Sequence, residues 1–109
     1  MTTSSDFPHI TNRRIASNGT ELNIAEQGKG DAPLIVMLHG FPESWFSWRH
    51  QFAPLAAAGY HVVAPDMRGY GESDKPADIT AYNQVEVVND IKGLVGALGD
   101  ETAIVIGHD

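Results

Sequence analysis

Leu34-Ile35-Val36-Met37-Leu38-His39-Gly40-Phe41-Pro42 is the stretch that decides the fold. Five apolar residues follow one another without polar alternation, as in a strand covered on both faces, and the run stops in a tight His-Gly-Phe-Pro segment. Tyr60 to Ala64 and Ala103 to Ile106 repeat that character. Between the first two runs, Trp45, Trp48, Phe52 and Leu55 recur three or four residues apart, one face of a helix closed by Gly59. Pro54 is expected to break or restart that helix. Between the last two runs, Asn83 with Glu86 reads as an N-cap box, and Val85, Val88, Ile91, Val95 and Leu98 form a helical stripe ended by Gly99. Gly93 and Gly96 each cost about 1 kcal/mol against Ala inside a helix, so this helix must lean on the sheet.

Upstream, residues 9–17 and 21–27 flank Asn18-Gly19-Thr20, and Asn-Gly is a strong hairpin signal because both residues tolerate positive φ. Gly28-Lys29-Gly30-Asp31 makes a further turn. The order of elements predicts an α/β protein: an N-terminal β-hairpin leading into a parallel βαβαβ sheet with right-handed crossovers. Residues 1–8 read as a disordered N-terminus and 9–109 as one domain or a piece of one.

Composition narrows the class. With 42% hydrophobic residues in 109, the chain suits a folded globular domain. A net charge of −7, with basic residues scattered singly, argues against a nucleic-acid or anionic-membrane partner. No stretch approaches the length of a membrane span, and the start lacks a basic and apolar leader. The absence of cysteine excludes disulfides and thiolate metal sites and is compatible with the cytoplasm. The five histidines show no paired metal spacing, and neither a metal nor a cofactor is expected.

Three segments carry a resemblance. His39-Gly40-Phe41-Pro42-Glu43-Ser44-Trp45-Phe46-Ser47-Trp48-Arg49 closely resembles a segment of the epoxide hydrolases of the α/β-hydrolase family. Asp66-Met67-Arg68-Gly69-Tyr70-Gly71-Glu72-Ser73-Asp74-Lys75-Pro76 resembles the loop after their next strand. Gly107-His108-Asp109 resembles the start of their nucleophile elbow, the sharp strand-to-helix turn that exposes a catalytic atom. The resemblance covers about residues 9 to 109 and only the N-terminal part of such an enzyme, stopping before the helix that follows the nucleophile and before the cap domain.

The resemblance implies roles. Asp109 is the nucleophile, attacking an epoxide carbon to form a hydroxyalkyl ester that a histidine-activated water hydrolyses to a vicinal diol. The Phe41 backbone N–H supplies one oxyanion donor, and the N–H of the residue after Asp109 the other. His39, Gly40, Pro42 and His108 shape the site, and the Phe41–Pro42 bond is cis in the family pattern. The general-base histidine, its orienting acid and the cap tyrosines have no counterpart in the chain, so it is expected to be inactive alone. The substrates implied are a small-molecule epoxide and water.

Other features read more plainly. Gly69-Tyr70-Gly71 lacks the third glycine of a dinucleotide fingerprint, Asp74 standing there instead, and predicts a tight loop braced by Asp66 and Arg68. His39 and His108 read as loop-packing residues; His9, His50 and His61 have no acidic partner at telling spacing. Trp45 and Trp48 read as core anchors of the first helix. The strand ending at Ile106 is expected to have a bare edge open to self-association or to another chain.

Two alternatives stay open. A fluoroacetate-type dehalogenase also carries His-Gly-Phe-Pro; Trp after Asp109 would favour the epoxide enzyme and Arg the defluorinating one. Haloalkane dehalogenases commonly place Asn where Phe41 stands, and serine esterases a Ser where Asp109 stands. The other alternative is a non-catalytic remnant or interaction module.

Overall fold

The computed structural model describes residues 2–3, 7–41 and 43–108. Among them, six strands form one sheet in the order β1-β2-β3-β5-β4-β6. These are β1 (Thr2–Thr3), β2 (Thr11–Ser17), β3 (Thr20–Gln27), β4 (Leu34–Leu38), β5 (His61–Pro65) and β6 (Ile104–Gly107). Within the stretch expected to be disordered, Thr2 and Thr3 pair with Asn12 and Thr11, and Phe7 packs on the core. The Phe7 ring is partly buried there.

The hairpin forms as its turn dictates. Asn18 and Gly19 take φ of 52° and 74°, and Ser17 faces Thr20 across a two-residue loop. β3 then runs antiparallel to β5, while β4 is parallel to β5 on one side and to β6 on the other. The second buried strand starts and ends one residue later than the Tyr60–Ala64 run. His61 N–H bonds to Pro33 O and so begins the pairing, while Tyr60 N–H turns back to Leu55 O.

Of the unalternating strands, β4 and β5 are buried on both faces. Strand β6, at the edge of the sheet, keeps Ile104 and Val105 about half exposed, contrary to the expectation for that run. Ile35, Met37, Val62 and Ala64 face a core built on Phe52, with Trp45, Trp48 and Leu55 packed against it. Leu34, Val36 and Val63 face Leu22, Ile24 and Leu94, with Ile91, Val95 and Leu98 alongside. The two tryptophans are thus core anchors. Burying Phe52 completely is worth roughly 1.5–3 kcal/mol.

The first helical stripe is not one helix. Trp45–Trp48 form a single 3₁₀ turn, with Ser44 accepting from Phe46 N–H, and helix α1 runs Phe52–Ala57. Pro54 restarts rather than breaks: it sits in the first turn of α1, where its missing N–H would have had no helical partner. Helix α2 (Gln84–Ala97) begins as read, with the Asn83 side chain accepting from Glu86 N–H at 3.0 Å.

Candidate active site

β4 and β6 end side by side. Leu38 pairs with Gly107, and His108 N–H donates to Leu38 O at 3.1 Å, so the loop after β4 and position 108 are neighbours. An open α/β sheet presents its ligand at this carboxyl end of its strands. Asp109 and Pro42 lie outside the described residues, and with them the expected nucleophile and cis bond.

His39 is buried at the end of β4 and uses both ring nitrogens. Nε2 accepts from Met67 N–H at 2.9 Å and Nδ1 stands 3.0 Å from Gly40 O. Tyr70 packs edge-on against the ring, centroids 5.0 Å apart. A histidine so engaged packs a loop and is unsuited to abstracting a proton.

Gly40 O also accepts from Glu43 N–H at 2.8 Å, a turn-like bond between residues three apart. Gly40 N–H in turn donates to Glu43 Oε1 at 3.1 Å. The same oxygen lies 3.6 Å from His108 Nδ1. Glu43, not singled out in the sequence, therefore closes the loop after β4 on itself and stands close to the end of β6. The Phe41 side chain is 81% exposed, and no acceptor takes its N–H among the described residues. Beside it, a cavity of about 260 Å³ is lined by His39, Phe41, Met67, Tyr70, Tyr82 and Val87.

Asp66 organises the second loop. Its buried carboxylate accepts from Trp45 N–H (2.8 Å), Asn23 Nδ2 (2.9 Å) and Glu72 N–H (3.0 Å). The loop must stay glycine at position 71, where φ is +53° and a Cβ would meet Asp66 Oδ2 at 2.2 Å. Ser73 Oγ donates to Asp66 O and accepts from Asn23 N–H, locking loop to hairpin. Asp66 thus braces the backbone as expected, and Arg68 partly so. Arg68 donates to Ala81 O, but its main partner is Asp90 on α2, bound through Nε and Nη2 at 2.9 and 2.8 Å. That carboxylate pushes the guanidinium pKa further up.

His61 needs correction. It is buried, with Nε2 2.9 Å from Glu26 Oε1, a partner 35 residues distant that only the β3–β5 register brings close. Burial would raise the Glu26 carboxyl, but hydrogen bonds from His61 and Arg13 outweigh this and hold it below its ordinary value. This cluster sits at the opposite end of β5 from the loop that carries Asp66. His9 and His50 have no acidic partner among the described residues, and His50 meets the Phe7 ring. No group of three His, Asp or Glu side chains able to hold a metal occurs among the described residues.

Sequence comparison gives this arrangement its family. The model of the alpha/beta hydrolase fold matches residues 33–109, and the chain belongs to that family. It is 53% identical over 95 residues to an AB hydrolase superfamily protein of Bacillus subtilis, covering 87% of this chain and 33% of the relative. It is 48% identical over 99 residues to Epoxide hydrolase A of Mycobacterium tuberculosis, covering 91% and 31%. The crystal structure of Epoxide Hydrolase A from Mycobacterium thermoresistibile superposes with a TM-score of 0.90 at 47% identity, covering 92% of this chain and 31% of that one. The chain is therefore similar to epoxide hydrolases over most of its length and spans about a third of the length of the relatives it matches. No helix among the described residues is long and apolar enough to cross a membrane.

Proposed function

We propose that this chain is the N-terminal part of an epoxide hydrolase that opens epoxides to vicinal diols through an ester on Asp109. The observation that carries the reading is the junction of β4 and β6, which brings the loop that carries Phe41 close to His108, the residue preceding Asp109. A carboxylate suits the first step because it is ionised at neutral pH and attacks a strained carbon without prior deprotonation. One Asp109 oxygen bonds to the epoxide carbon as the C–O bond breaks, and the leaving oxygen takes a proton. Water then adds to the ester carbonyl, giving an oxyanion for Phe41 N–H, and collapse releases the diol. His39, Gly40, Pro42 and His108 shape the site around these two groups. In this reading the protein works in the cytoplasm, without a metal or cofactor.

The histidine base, its orienting acid and the cap donors come from outside these 109 residues, so the chain alone does not turn over. The test is to join it to a C-terminal segment carrying those groups and to assay styrene oxide in H₂¹⁸O. Diol formation with ¹⁸O entering the Asp109 peptide, both lost in Asp109→Ala, is expected. Turnover that survives Asp109→Ala overturns the reading. Fluoride released from fluoroacetate, with no diol from epoxides, replaces it with the dehalogenase. No activity with either substrate favours the non-catalytic remnant.

A further inference from the structure

We infer that His39 is a positioning residue that aims the Phe41 N–H, an inference resting on the reading of that N–H as an oxyanion donor. Met67 N–H is only a donor, so the Nε2 it reaches at 2.9 Å must be unprotonated. The ring proton is therefore on Nδ1, 3.0 Å from Gly40 O, and is donated to that carbonyl. Gly40 C=O and Phe41 N–H belong to one planar trans peptide and point in opposite directions. Whatever fixes the carbonyl fixes the N–H.

Two donors do so here, His39 Nδ1–H from one side chain and Glu43 N–H at 2.8 Å from the turn. Both also polarise the peptide, strengthening its N–H as a donor. The ring is held in place, because Tyr70 makes a T-shaped contact with it and Met67, in the loop after β5, holds its far nitrogen. His39 thus couples the loop after β5 to the donor peptide after β4, and its chemistry acts through Gly40 rather than on substrate.

The first measurement is the ¹⁵N imidazole spectrum of the chain itself: a proton on Nδ1 is expected, and a proton on Nε2 overturns the inference. Two variants then divide the ring's duties. His39→Asn keeps a donor near the Nδ1 position, and His39→Gln keeps an acceptor near the Nε2 position. His39→Gln is expected to move the Phe41 and Glu43 amide resonances and spare Met67, and His39→Asn to do the reverse. Equal movement in both variants, or a stationary Phe41 amide in His39→Gln, overturns it.

In the joined, active form, His39→Gln should slow ester hydrolysis by about tenfold while ester formation changes less than about twofold, so that ester accumulates. Equal slowing of both steps means that His39 merely supports the fold. If the parent forms no ester, the epoxide reading fails, while the resonances still judge the His39 tie.

Discussion

Ser17 Oγ stands where a side chain on Gly93 would begin: a Cβ there would lie 2.3 Å from the hydroxyl, which itself donates to Asp90 O at 2.6 Å. The hairpin and α2 approach so closely because position 93 carries no side chain. Gly96, one turn on, has open space around it. The two glycines of α2 should therefore respond oppositely to alanine. Gly96→Ala should stabilise by up to about 1 kcal/mol through helix propensity. Gly93→Ala should destabilise by about 1–3 kcal/mol through overpacking. Urea midpoints for the two variants check the signs.

Asp66 accepts three hydrogen bonds from three different elements. Asp66→Asn keeps the shape but turns one acceptor oxygen into a donor facing N–H groups. A loss of about 2–4 kcal/mol is expected, because buried donors are left unpaired. A midpoint within error of the parent would show that the three bonds contribute no net stability.

Glu26 makes stability depend on acid. Its carboxyl titrates below the ordinary 4.5 in the folded chain, so on acidification the unfolded chain takes up the proton first. The contribution is present above about pH 4.5 and is lost as the pH falls towards the folded value. Glu26→Gln should cost about 1–2 kcal/mol at pH 7 and flatten this part of the profile. Denaturation at intervals from pH 7 to pH 3 compares the slopes.

Edge strand β6 leaves Ile104 and Val105 about half exposed, next to a groove of about 580 Å³ between α2 and the sheet. Such an edge pairs with other strands. Val105→Lys should shift sedimentation of the chain towards the monomer and raise its solubility. A parent already monomeric at high concentration would rule out self-association through this edge.

How much of this could be read from residues alone depended on the range of the interaction. The three apolar runs, the Asn18-Gly19 hairpin and the Asn83 cap are local, and each appears within two residues of its expected place. The first helix divided at residues 49–51 because its apolar spacing fits a 3₁₀ turn and a short α-helix as well as one continuous helix. The site fared similarly. Asp66 as a brace was legible from its tight Gly-rich loop, whereas Arg68 bonding to Asp90 and His61 to Glu26 required tertiary register. Glu43 could have been found from its place three residues after Gly40, where its N–H can reach the Gly40 carbonyl.

Strand β4 pairs with β5 on one side and β6 on the other, and both partners come later in the chain. During synthesis, β4 therefore leaves the ribosome with neither neighbour yet made. Its first partner begins at His61 and its second only at Ile104. Strand β4, apolar at all five positions, is thus a waiting template, paired last on the side where it meets β6. Slow synthesis between residues 65 and 104 would lengthen the time for which that template is open to the wrong strand.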